Sequence, residues 1–241
     1  MRTFRLLNVL TGLFVAALVI ATVASSKIAM FGPLALPGGV IVFPITFILN
    51  DILTEVYGYE RSRRVVWTAL GCQILAGLSF WIVDTLQAAP FWPYQDAFHA
   101  VLGFAPRVAI AGFISFFSGE LTNSFVISKM KYREGGRRGF AQAWRFLAST
   151  IVGEAVDSLV FMVIAFTGKI PPLDLVRTAA ILYVVKVVYE TIALPISIPV
   201  SNWVKRLEST DHIDEPETTN YNPFRFDETT VDGEPTKSIS R

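Results

Sequence analysis

Apolar residues gather along this chain in six long runs. A helix needs about 20 residues to cross a bilayer core, and each run is close to that length. The first, Leu6 to Ser26, is 21 residues without a charge. The second extends from Gly39 to Tyr57, and the third, Val65 to Val83, is again uncharged. The fourth, Val108 to Ser128, is interrupted only by Glu120; the fifth, Phe146 to Thr167, only by Glu154 and Asp157. The sixth, Thr178 to Val204, contains Lys186 and Glu190, with Pro195 and Pro199 near its end. Between runs the pattern breaks. Two prolines and three glycines in Phe31 to Gly39 exclude a regular helix there. Ala89 to Pro106 sets Phe91, Trp92 and Tyr94 among three prolines, the pattern of an interfacial aromatic belt. The expectation is an all-α protein: an integral membrane bundle of six transmembrane helices over residues 1–206.

Charge gives this bundle an orientation. Thirteen Lys and Arg lie at the span ends on one side and four on the other, alternating loop by loop. By the positive-inside rule both termini are cytoplasmic, N-in and C-in, in a multi-pass protein of the cell inner membrane. The first run exceeds the apolar core of a signal peptide, so it reads as a span. The basic, glycine-rich stretch from Lys129 to Arg145 is suited to anionic headgroups. Residues 207–241 differ in kind. They hold nine acids, three bases and few apolar residues, and are expected to form a disordered acidic tail.

Composition excludes several functions. The chain is 52% hydrophobic and 17% charged, with a net charge of +1 that gives no reason to expect a nucleic-acid partner. Cys72 is the only cysteine, and His99 and His212 are the only histidines. A disulfide framework, a thiolate or histidine metal centre and a Ser-His-Asp triad inside the membrane are therefore not expected, and no cofactor is implied.

What remains is a set of charges inside the spans, where each costs roughly 2.5–3.5 kcal/mol on insertion scales. Asp51 and Glu55 are four apart on one helix face, with Asp51 a turn deeper; they read either as acceptors for a substrate or proton, or as groups reaching water at the span end. Glu154 and Asp157 share a face of the fifth span with Thr150 and Ser158. Lys186 and Glu190 are four apart; the lysine pairs either locally with Glu190 or across the bundle with Asp157 or Glu154. Glu120 shares its face with Asn123 and Ser124, which serve equally as helix-to-helix hydrogen-bonding groups. Six acids face one base. Such a site favours a cation, protons or a ligand rich in N–H donors, and disfavours organic anions.

Two of these segments carry a resemblance. PGGVIVFPITFILNDILTEVYG, and RFLASTIVGEAVDSLVFMVIAFTG from Arg145 to Gly168, resemble the signatures of the VUT-type queuosine precursor transporters. The likeness covers about Val23 to Leu207. It implies a transporter rather than an enzyme, with the deazaguanines preQ0 and preQ1 as small-molecule substrates imported for tRNA modification. The charges inside the spans, Asp51, Glu55, Glu120, Glu154, Asp157, Lys186 and Glu190, are the candidate substrate-site residues. The guanine-like edge offers adjacent N–H donors that one carboxylate can accept together. Phe43, Phe47, Phe161 and Tyr183 could stack on the flat heterocycle or simply pack. Beyond substrate and lipid bilayer, a homodimer is kept open. Two other functions fit a six-span acidic protein: a substrate-binding subunit of an energy-coupling-factor vitamin importer, and an intramembrane carboxylate enzyme. The second lacks a visible nucleophile or metal-ligand set.

Overall fold

Helix α2, Phe43–Tyr57, is the element around which the others close. It starts with Pro44 in its first turn, where a missing N–H costs nothing, and ends at Gly58 with φ +87. Nearly every side chain from Thr46 onward is buried, including Asn50, Asp51, Thr54 and Glu55. A helix buried all round belongs to the inside of a bundle. α2 packs against α1 (Leu7–Ala24), α3 (Tyr59–Thr85), α5 (Pro106–Arg133) and α7 (Pro172–Glu208); α6 (Phe140–Phe166) joins through α5 and α7. The outer helices bury one side and expose aliphatic residues on the other, such as Leu13 on α1, Leu75 on α3 and Ile192 on α7. Faces of this kind suit lipid rather than water.

This computed structural model describes residues 4–25, 27–31, 34–102, 106–168, 171–215, 217 and 219–224. Among them are six helices long and apolar enough to cross a membrane, so the protein is an all-α, multi-pass membrane bundle. The proline-glycine stretch after α1 forms a short antiparallel hairpin, β1 (Ile28–Phe31) with β2 (Leu34–Pro37), then a 3-10 turn, Gly38–Ile41. The aromatic loop contains a short helix not foreseen in the sequence, α4, Gln95–Leu102. His99 on α4 and Asp84 near the end of α3 meet at 2.6 Å and tie the two together.

Several helices overrun their apolar cores. α3 begins at Tyr59 and α6 at Phe140, each six residues before its apolar run. α7 has 37 residues, about 55 Å at 1.5 Å per residue, well beyond a hydrocarbon core of about 30 Å. The extensions carry Arg63, Arg145 and Lys205, all buried by partners from other helices or from the C-terminal segment.

The expectation of disorder from Leu207 onward does not describe residues 207–215, 217 and 219–224, which the structure places against the bundle. α7 continues to Glu208, and Ser209 reverses the chain in a left-handed conformation. The following residues form a strap along the basic end of the bundle. His212 donates its N–H to the Val56 carbonyl at 3.2 Å. Asp214 Oδ2 accepts the N–H of Tyr59 at 3.0 Å. The strap thus serves the last turn of α2 and the first of α3, where backbone groups lack intrahelical partners. A side chain on Gly58 would strike it, because a Cβ there would lie 2.3 Å from His212 Cδ2. Residues 225–241 lie outside the described residues.

Candidate substrate site

Two glycines bring the central acids together. A Cβ on Gly119 would lie 2.8 Å from the Cβ of Asp157, and one on Gly153 would lie 3.0 Å from that of Asn123. α5 and α6 therefore approach as closely as backbones allow, the usual role of small residues between membrane helices. Glu120 and Asn123 of α5 come to face Glu154 and Asp157 of α6. α2 contributes Asp51 and α7 contributes Lys186 and Glu190. All five acids are at most 4% exposed.

Polar side chains pin the helices around them. Asn123 Nδ2 donates to Asp51 Oδ1 at 2.6 Å. Asn50 Nδ2 donates to the Glu120 carbonyl at 3.1 Å and to Ser124 Oγ at 3.0 Å. Ser62 of α3 donates to Asn50 Oδ1 at 2.5 Å, joining a third helix. Ser124 is thus the interhelical hydrogen-bonding group its position suggested, while Asn123 holds a candidate acid. Asn50 and Ser62 were not singled out from sequence; Asn50, directly before Asp51 in an apolar helix, was the visible signal.

Lys186 takes the cross-bundle alternative. Its ammonium donates to Asp157 Oδ2 and lies 2.9 Å from Glu154 Oε2. The Glu154 contact pairs the charges but is not aligned as a hydrogen bond. Glu190 is held instead by Thr150, whose hydroxyl donates to Oε2 at 2.5 Å. Two α2 rings flank the ammonium: its Nζ is 4.5 Å from the Phe43 centroid and 5.8 Å from that of Phe47. Phe161 and Tyr183 are half-buried on α6 and α7.

Glu55 neither reaches water nor shares this cluster's partners. It is fully buried one turn nearer the basic end. Arg145 grips it with two bonds, Nη2 to Oε1 at 2.6 Å and Nε to Oε2 at 3.2 Å. Lys205 Nζ adds a third at 2.6 Å to Oε1. Lys131 donates to the Glu55 carbonyl, and Asp211 of the strap joins Lys131 and Lys205 at 2.6 and 3.0 Å. Arg145 also bonds Glu134 Oε2 at 2.6 Å. In the sequence these bases read as span-end charges; in the fold they compensate Glu55 at the basic end, so the excess of acid is confined to the centre.

Unpaired acceptors mark that centre. Both oxygens of Glu120, Oδ1 of Asn123, Oε1 of Glu154, Oε1 of Glu190 and Oγ of Ser158 are buried without a hydrogen-bond partner. Orphaned buried polar atoms are uncommon in folded proteins, and here they are concentrated among the charges of one bundle interior. They are mostly acceptors, so what they lack is N–H or O–H donors.

Residues 37–200 match the model of a family described as "Putative vitamin uptake transporter". The chain belongs to this family. The matched region contains the five central acids, Lys186 and the Glu55–Arg145 pair, but not Lys205 or the strap. The chain is 31% identical over 174 residues to a "Probable queuosine precursor transporter" of Bacillus subtilis (strain 168), covering 70% of this chain and 72% of that protein. It is 27% identical over 128 residues to a "Queuosine precursor transporter" of Escherichia coli (strain K12), covering 53% of this chain and 54% of that protein. A Haemophilus influenzae relative with the name "Probable queuosine precursor transporter" is 24% identical over 135 residues, covering 56% of this chain and 53% of that protein. The match therefore spans about half the length of the last two relatives. No solved structure matches the chain significantly.

Proposed function

We propose that this protein is a membrane transporter for queuosine precursors, the deazaguanines preQ0 and preQ1, and that the central acidic cluster binds them. The observation that carries the reading is the set of orphaned acceptors: Asn123 Oδ1, Glu154 Oε1, Ser158 Oγ and Glu190 Oε1. A deazaguanine presents N1–H and an exocyclic amine on one edge and a pyrrole N–H on another. Such donors would satisfy these atoms, and bonds to ionised carboxylates are the stronger kind. Asp51 and Asp157 stand in the same cluster with partners that a ligand could displace, and the Phe43 and Phe47 rings offer a face for the heterocycle. The names of the three relatives point to the same substrate class.

The test is rescue. Cells that cannot make the precursor, supplied with preQ0 or preQ1 at low concentration, should regain queuosine in their tRNA when they express this chain. No recovery despite membrane insertion would overturn the assignment. The proposed orientation, N-in and C-in, predicts that a reporter at Gly136 is cytoplasmic and one at Ala89 is outside; both on one side would contradict it.

A further inference from the structure

Among the central acids Glu120 is distinct. Asp51 receives an N–H from Asn123, Glu190 a hydroxyl from Thr150, and Asp157 and Glu154 share the Lys186 ammonium. Glu120 is fully buried and neither of its oxygens has a partner. The backbone is fixed at this residue, because its carbonyl accepts the Asn50 side chain.

The charged groups facing Glu120 are Asp51 from α2, Glu154 and Asp157 from α6, and Lys186 from α7, with Glu190 of α7 beyond. α3, the other helix packed on α5, presents Ser62 at this level, and its buried Arg63 turns to the strap. The one base nearby is already shared by two other acids. An ionised Glu120 would therefore be a bare, fully buried charge among four acids. Leaving a buried charge uncompensated is among the most costly arrangements available to a protein.

We propose that Glu120 is a proton-binding site that must be filled for the bundle to close around its cargo. This rests on the transporter reading above. One proton removes the bare charge when water is expelled, and the neutral carboxyl gains an O–H for a neighbouring acceptor. Reopening hydrates the carboxyl and lets the proton leave. The other four acids each have a side-chain partner in this structure, and a bound cargo would supply donors where it displaces one, so they do not need a proton in the same way.

The experiment is uptake of radiolabelled preQ0 by the purified full-length protein in liposomes. The same buffer is used inside and outside, across a series from mildly acidic to mildly alkaline. Wild-type initial rates should fall toward alkaline buffer, with a limiting slope of about tenfold per pH unit for one proton. Glu120→Gln cannot ionise and should flatten the profile. Glu120→Asp should keep a profile with a displaced midpoint, and it serves as the readout if the glutamine variant is not recovered folded. Robust wild-type uptake with no pH dependence would overturn the proton site and leave the transporter reading intact. A glutamine variant with the wild-type profile and only a raised KM would make Glu120 a substrate ligand and overturn the proposal too. Wild-type protein that takes up no preQ0 at any pH would remove both readings together.

Discussion

Lys186 on α7 donates to Asp157 on α6 while its ammonium lies 2.9 Å from Glu154 of the same helix. One cation is thus divided between two carboxylates in a cluster that contains three more. The geometry makes Lys186 the hinge of the local charge balance. Removing it leaves four carboxylates and Glu120 with no counter-charge from α7, whereas removing Asp157 leaves Lys186 with Glu154.

Lys186→Met should therefore be the more damaging change. Taking one partner from a buried ion pair costs about 3–5 kcal/mol, because the other charge stays behind. The expected result is lost uptake and a lower Tm in detergent. Asp157→Asn should lose uptake with a smaller fall in Tm. The double variant should recover part of the stability lost in Lys186→Met. Strictly additive effects in this cycle would show that the pair is not coupled.

Arg145 and Glu55 present a second case with a different expected readout. Their bidentate pairing requires the flat guanidinium fork, so Arg145→Lys is not a conservative exchange. Arg145→Lys should cost about 1–3 kcal/mol of stability, through a lost charge-assisted hydrogen bond and an unsatisfied acceptor. Arg145→Met should cost more. KM for preQ0 should change less than Tm in Arg145→Lys, because the pair lies a turn away from the orphaned acceptors. A raised KM at unchanged Tm would place Glu55 in the substrate site instead.

The contrast between these two pairs shows what a sequence can and cannot convey about such a protein. Six apolar runs identify six spans, because hydrocarbon admits few other backbones. Asp51, Glu120, Glu154, Asp157, Lys186 and Glu190 stand out for the same reason, and they do converge. Arg145, Lys131 and Lys205 do not stand out. At a span end a basic residue is ordinary, and only the partner helices reveal that these three are buried. The strap was hidden by composition. Its acids suggest a solvated tail, yet Asp211 and Asp214 are held by lysines and by a helix N-terminus, and Tyr221 packs against Tyr59 and meets Phe125 edge-on.

Gly119 should tolerate no side chain, not even the methyl group of alanine. Its added Cβ would already lie 2.8 Å from that of Asp157 and 3.2 Å from the Gly153 carbonyl, so α5 and α6 would have to part. Gly119→Val should fail to give a stable detergent-solubilised protein. Gly112, one surface of which faces open space on the same helix, should accept Val with little change in Tm. Equal tolerance at both positions would contradict the close crossing.

The strap should also release in acid. Burial pushes the Asp211 carboxyl up, but hydrogen bonds and charge from Lys131 and Lys205 outweigh this and hold it below its ordinary value of 3.8. Burial likewise raises Asp214, and bonds from His212, Ser128 and the Tyr59 backbone more than reverse it. A carboxyl depressed in the folded state contributes stability above its unfolded value, and that contribution is lost as pH falls through the folded value. Strap attachment should thus be constant near neutrality and weaken only below about pH 4. Asp211→Asn with Asp214→Asn should weaken attachment at neutral pH and remove most of the acid response. Protease cleavage between residues 209 and 224 is a direct measure; an unchanged acid response in the double variant would assign the effect to other groups.

Truncation after Ser209 brings these arguments together. The acidic composition suggests a disordered tail, but the contacts argue for a structural role. Arg63 is fully buried and donates to the carbonyls of Asn220 and Asn222, so its removal from these partners exposes a hydrogen-bonded cation to an emptied groove. Trp67 Nε1 loses the Pro223 carbonyl at 2.8 Å, and Tyr59 N loses Asp214. Lys131 and Lys205 lose Asp211, leaving Glu55 to balance both lysines and Arg145 with only Glu134 to help. Water can re-solvate some of these groups at the bundle end, so the loss is smaller than the sum of the bonds. We expect it to be about 2–4 kcal/mol, the scale of a few unmade hydrogen bonds with one to a charge. Truncation after Phe224 should cost far less, because it keeps every one of these contacts. The pair of truncations therefore isolates residues 210–224, with Tm in detergent and tRNA queuosine in rescued cells as the two readouts. Equal behaviour of the two truncations would show that the strap contributes neither stability nor function.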